Sequence, residues 1–367
     1  MKKARTQRWL PGVWLLLALA AAACTQWQPI AGEGALTIVI PGSGSTTKAV
    51  SDITACSYEV AVNQLQLLLF RDDGTRCDYL SLDAASVSFP YTKQYPSLGA
   101  GTYRIYAVAN GPDLRAVTTE PALSQTAVSL ADCGLTDATG FVMMGGTGVQ
   151  IHSGETSRAN IPMSRFAARV RVTSIRNRLP AGYAAGGAMY IKGIFLINAR
   201  ETWTLGGTGT PSGWLNLGGR EAGKASSTLR QDYIRTAEQV PAAYRSHLFR
   251  TMAVSLARNQ EYNPADACFY SFPNNVTVDH TGPDATEESG AAARLVVLAT
   301  VNGEDWWYPV TLLKDGTGLE RNTTYDITLT ICASGSADPN EPVVEARLVA
   351  TLSRKAWDTG SSYVEPL

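Results

Sequence analysis

The stretch Arg321-Asn-Thr-Thr-Tyr-Asp-Ile-Thr-Leu-Thr-Ile-Cys332 alternates Tyr325, Ile327, Leu329 and Ile331 with Asp326, Thr328 and Thr330. A turn-rich segment with Gly335, Pro339 and Pro342 follows, and then a second arm runs to Trp357. There Val344, Ala346, Leu348, Ala350 and Leu352 alternate with Glu345, Arg347, Thr351 and Ser353. A period of two over this length predicts two strands, each with one face in a core. The Gly and Pro residues between the arms fit a loop and break any helix.

The same pattern recurs upstream. Leu36, Ile38 and Ile40 share one face of a short run that stops at Pro41. Leu65, Leu67 and Leu69 alternate before an Asp73-Gly74 turn, and Tyr103, Ile105, Ala107 and Ala109 alternate after Gly101. Met189 to Asn198 places Ile194 and Leu196 on one face. Asn302-Gly303, set between Leu295–Val301 and Trp306–Leu313, is a strong hairpin signal. Only Ser226 to Asn259 has helical spacing, through Leu229 and Tyr233 and then Tyr244, Leu248 and Met252, divided by Pro241. With 367 residues, 33 glycines and 17% charged residues, the chain reads as all-β, in about two domains, with a short helical elaboration in the second.

The N-terminus reads as an export signal. Lys2, Lys3, Arg5 and Arg8 precede an apolar run from Val13 to Ala23, too short to span a bilayer. It ends in Ala-Ala-Ala-Cys24, similar to a bacterial lipobox, whose Cys takes a diacylglyceryl group; Ala21 stands where Leu is most usual. The alternative is an ordinary secretory signal cut after an Ala-x-Ala site. Subtracting the four basic residues of this leader from 31 leaves 27 against 32 acidic ones, a net charge of −5. That balance argues against a nucleic-acid surface. Beyond Cys24, the cysteines Cys56, Cys77, Cys133, Cys268 and Cys332 are widely spaced and odd in number, which disfavours a zinc site and leaves the pairing open.

Catalytic patterns are missing. His152, His247 and His280 form no metal-binding array, and no Gly-x-Ser-x-Gly elbow occurs. Gly42 to Lys48 lacks the spacing of a phosphate loop. Asp315 and Asp338 stand outside any dense acidic loop. Trp306-Trp307 is a candidate sugar platform, but neighbours on a strand point opposite ways, so only one can face a core. The expectation is a non-enzyme without metal or cofactor.

Several segments, in order, resemble the fimbrillins, the pilus subunits of Bacteroidales made as lipoprotein precursors. They are Gly101-Thr-Tyr103 with Ala109-Asn110, Phe141-Val-Met-Met-Gly-Gly146, Arg165 with Ala167-Ala-Arg-Val-Arg-Val172, Phe269-Tyr-Ser-Phe-Pro-Asn274, Arg321-Asn-x-x-Tyr325 and the lone Trp357. The N-terminal order of strand, small polar linker and basic residue matches as well. The resemblance implies two tandem transthyretin-like β-sandwich domains, 49–166 and 167–367. These follow a lipoprotein signal, 1–24, and a tether, first strand and propeptide linker, 25–48. It implies a structural subunit of the outer membrane and cell surface, lipidated at Cys24 and cut between Lys48 and Ala49 by a trypsin-like protease; Lys48 stands where the best-known members have Arg. Losing Leu36, Ile38 and Ile40 would open a groove for a strand from another subunit, with Trp357, Tyr363, Val364 and Leu367 as the candidate donor, or the preceding strand in their place. The implied partners are other pilus subunits, the protease, the outer membrane through the lipid and a surface ligand for adhesion. The alternatives are an anchor or tip subunit of the same pilus and a glycan-binding lipoprotein.

Overall fold

The computed structural model describes residues 32–41, 57–207, 213–224, 229–264, 267–274, 276 and 292–357. The all-β expectation holds, and the strands form two sandwiches. The first contains β1 (Glu33–Ile40), β2 (Gln64–Arg71), β3 (Arg76–Asp83), β4 (Tyr91–Gly99), β5 (Gly101–Ala109), β6 (Ala127–Ser129), β7 (Met143–Ile151), β8 (Thr156–Asn160) and β9 (Ser164–Arg165). One sheet has the order β4-β1-β8 and the other β3-β2-β5-β7-β9.

The second sandwich begins with β10 (Ala168–Asn177), β11 (Met189–Ile197), β12 (Ala199–Arg200), β13 (Thr202–Thr204) and β14 (Trp214–Leu215). It continues with β15 (Phe249–Leu256), β16 (Glu261–Tyr262), β17 (Cys268–Ser271), β18 (Arg294–Val301), β19 (Glu304–Thr311), β20 (Thr323–Ile331) and β21 (Leu348–Ala356). Its sheets have the orders β16-β10-β20-β21, with β17 also on β10, and β15-β11-β18-β19. A short pairing of β6 with β13 crosses between the halves.

Period-two patterning is realised where two layers meet. β2 is buried on both faces: Leu65, Leu67 and Leu69 enter the first core, and Leu68 and Phe70 enter the second. The second core runs without a break from the back of that sheet into the second sandwich. The hairpin at Asn302-Gly303 forms as read, with Asn302 at a φ of +55°.

Two regions differ from the sequence reading. In 226–259 the described helical content is a few single turns, the last at Arg245–Leu248, and Phe249–Leu256 is a strand. Leu248, Met252 and Leu256 are four residues apart, which puts them on one face of a helix and also on one face of a strand, so the spacing decided nothing. The last strand starts at Leu348, because 345–347 form a turn in which the Arg347 and Leu348 N–H groups donate to the Val344 carbonyl. It is an edge strand, buried only at Leu348, with Val349 42% exposed.

Candidate functional site

The first strand among the described residues is the middle strand of its sheet. β1 runs antiparallel to β4, with Leu36 opposite Tyr95 and Ile40 opposite Tyr91, and parallel to β8, with Ala35 opposite Thr156 and Val39 opposite Asn160. Its side chains alternate as the sequence demands. Leu36, Ile38 and Ile40 are 0–1% exposed, and Thr37 and Val39 are half-buried on the other face. The three inward chains meet Leu65, Leu67 and Leu69 of β2, Ile105 and Ala107 of β5, and Met143 and Ile151 of β7.

The entry to this slot is tight. A Cβ on Gly34 would lie 2.3 Å from the His152 carbonyl oxygen, so only glycine lets β1 approach the β7–β8 turn. Beside it, the Ala35 N–H donates to the Glu155 carbonyl at 2.8 Å. At the far end the Ile161 N–H donates to the Val39 carbonyl at 2.9 Å. Tyr95, opposite Leu36, donates its hydroxyl to Asp78 Oδ2 at 2.7 Å, and burial holds its pKa well above the ordinary phenol value.

A second constellation lies where the sandwiches join. Glu59, fully buried, accepts from Arg169 Nη1 at 2.6 Å and from the Tyr270 hydroxyl at 2.8 Å. Its main-chain carbonyl accepts from Arg165 Nε at 2.7 Å. Trp357, 2% exposed, lies under both guanidinium groups at 4.7 and 4.9 Å, is stacked on Tyr270, and takes Phe141 edge-on. This knot joins a segment just before β2, the last strand of the first sandwich, the first strand of the second and the end of β21. No sequence signal marked Glu59, since a single carboxylate before a strand looks like any solvated one.

Of the candidate residues, Leu36, Ile38 and Ile40 come together in one core. Trp357 lies in the knot, apart from them. Cys24, Lys48, Ala49, Tyr363, Val364 and Leu367 lie outside the described residues, as does Cys56. Cys77, Cys133 and Cys332 are free thiols, Cys268 is buried at the start of β17, and burial pushes the Cys133 thiol up to about 12. Among the described residues no group of His, Cys, Asp and Glu side chains could hold a metal ion. Trp307 is fully buried and donates its indole N–H to the Ile234 carbonyl at 3.2 Å, and Trp306 is half-buried. The sequence reading also missed β4 and β8, the partners of β1. Tyr91 and Tyr95 carry a usable alternation for β4, whereas Thr-Ser-Arg-Ala-Asn of β8 carries none.

Residues 46–190 match the family model of fimbrillin-A associated anchor proteins Mfa1 and Mfa2. Solved structures with a similar fold include a protein of Bacteroides eggerthii named for cell adhesion, at TM-score 0.61 and 20% identity, covering 89% of this chain and 97% of that one. A fimbrilin of Porphyromonas gingivalis aligns at TM-score 0.58 and 14% identity, over 90% of this chain and 98% of its own. The tip fimbrial protein Mfa3 of the same organism, C-terminally truncated, aligns at TM-score 0.50 and 12% identity over 89% and 100%. No curated protein matches the chain by sequence.

Proposed function

We propose, for a pilus protein of the Mfa2/fimbrillin family, the role of a surface subunit that joins other pilus subunits by exchanging a strand at the β1 slot. One observation carries this reading: β1 is the first strand among the described residues yet central in its sheet, with unconnected partners on both sides. Lifting it out breaks no other strand order. It leaves β4 and β8 facing each other with unpaired backbone, a template for an incoming strand. It also uncovers a place for three branched apolar side chains, worth about 1.5–3 kcal/mol each when buried. That demand favours refilling by an extended segment with one apolar face.

In this reading the precursor is lipidated at Cys24 and cut between Lys48 and Ala49 by a trypsin-like protease. The cut falls between β1 and the rest of the chain, so it removes the covalent tie of β1 and leaves its pairings to β4 and β8 as what still holds it. The donor of a copy lies beyond Trp357, whose burial in the knot makes it the root of the arm. N-terminal sequencing of the surface-exposed protein tests the scheme. It should begin at Ala49, and Lys48→Ala should give full-length monomers that do not polymerise. Normal polymer from Lys48→Ala would refute it.

A second reading is the anchor of the same pilus, favoured by the name of the matching family model. An anchor that keeps β1 in place would carry its N-terminus intact in isolated pili, and the same sequencing separates the two.

A further inference from the structure

Where β1 ends, a cleft of about 610 Å³ begins between the sandwiches. Pro162 and Met163 form one wall, and Glu320, Arg321, Arg354 and Lys355 contribute the charges. Arg321 is held rigidly. Its Nη2 donates to Ser164 Oγ at 2.9 Å and to the Ser164 carbonyl at 3.2 Å, its Nε donates to the Arg165 carbonyl at 3.4 Å, and its plane lies 4.2 Å from the Phe166 ring centroid. No carboxylate among the described residues pairs with it, and burial alone pulls its pKa down. Guanidinium groups taken out of water are ordinarily paired, so one fixed by neutral acceptors calls for an anion. The rim does not supply one. Glu320 is taken by Arg354 at 3.1 Å, and Asp326, which reaches Lys355 at 3.3 Å, is shared with Arg171 at 2.7 Å.

Position connects the cleft to the slot. Val39 is level with Asn160, so a strand continuing the register of β1 brings its positions 41 to 43 beside Pro162 to Ser164. At about 3.3 Å per residue, two residues beyond Ile40 carry a chain roughly 7 Å on, to the cleft mouth. We infer that the cleft is an anion subsite of the strand acceptor: it takes a carboxylate on the segment that follows the donated strand of an incoming subunit, two or three residues past its last inward side chain. The inference rests on the strand-exchange reading and adds the chemistry of what that strand must carry. The candidate arm of this chain has such a residue in Glu365, two after Tyr363. Within the slot Glu365 would share the inward face with Tyr363 and Leu367 as an uncompensated charge. With Tyr363 at the Ile40 position it leaves the slot and meets Arg321, and Pro366 falls outside the strand, where it is tolerated; Thr359 and Ser361 then take the Leu36 and Ile38 positions, so a segment of another subunit with a fuller apolar face fills the slot better.

The test uses the protein trimmed after Lys48 and cleared of β1, with synthetic peptides of residues 33–43 carrying Gly42→Glu or Gly42→Gln. The Glu peptide should bind about tenfold more tightly at low salt, the scale of one charge-assisted hydrogen bond. The preference should vanish in Arg321→Gln and shrink in high salt. Should Arg321→Gln fail to fold, Arg354→Gln with Lys355→Gln on the exposed rim must weaken the preference. Equal binding of the two peptides overturns the subsite while leaving strand exchange standing. If neither peptide binds, both the subsite and the strand-exchange reading fall.

Discussion

His247 lies between the sandwiches, 4% exposed, with Nε2 donating to the Cys133 carbonyl and Nδ1 without a partner among the described residues. Burial, with Arg250 nearby adding repulsion, holds its pKa below the ordinary 6.5, against a smaller opposing effect of the Cys133 carbonyl. The neutral ring is therefore the folded form, and the unfolded chain takes up a proton first as pH falls. Stability from this site is complete above about pH 6.5 and is lost as pH drops from there toward the folded value, by at most about 1.4 kcal/mol per pH unit. Urea midpoints measured between pH 7 and pH 5 should fall for the native protein and fall less for His247→Gln; identical slopes would assign the loss to other groups.

At the scale of elements, β1 gives the most direct energetic expectation. Ile38→Ala removes a fully buried side chain from the middle strand and should cost the precursor about 2–5 kcal/mol. The same substitution is irrelevant once β1 is gone, so denaturation of the precursor and of the trimmed, β1-free protein must diverge. Equal stability of native and variant precursors would mean that β1 is loosely seated. β1, β5 and β20 were legible because each alternates against a real partner layer, β2 because its Leu65, Leu67 and Leu69 do so on one face, and the hairpin of β18 with β19 because of its Asn302-Gly303 turn. The residues of the slot were therefore readable, but its walls were not. Thr-Ser-Arg-Ala-Asn of β8 earns its place through backbone bonds to β1, and backbone bonds leave no side-chain signature. β21 shows the opposite failure. Its alternation set the parity correctly, with Leu348 and Leu352 across from Ile331 and Ile327, yet Ala350 is exposed and Leu352 only half-buried. Alternation tells which side chains share a face and says nothing of whether anything covers it.

Across the whole molecule, the knot at Glu59 decides how rigidly the sandwiches are joined. Glu59→Gln keeps the shape but leaves the Arg169 guanidinium buried beside a neutral amide, which should cost about 3–5 kcal/mol. Because the knot ties both sandwiches to Trp357, the loss should appear as a separate early transition in denaturant, with Trp fluorescence changing first. A single undisturbed transition would show that the continuous core, and not the knot, joins the halves. The central place of β1 has a further consequence, one of timing. A strand bonded along both edges does not depart because the chain next to it has been cut. It leaves only at the rate at which its sheet opens, and such openings can take hours. On the strand-exchange reading, a maturation protease would be able to cut every copy in minutes and still leave each one plugged. The pace of growth would then follow the supply of competing strands, and severed but still occupied subunits would form a standing reserve on the cell surface.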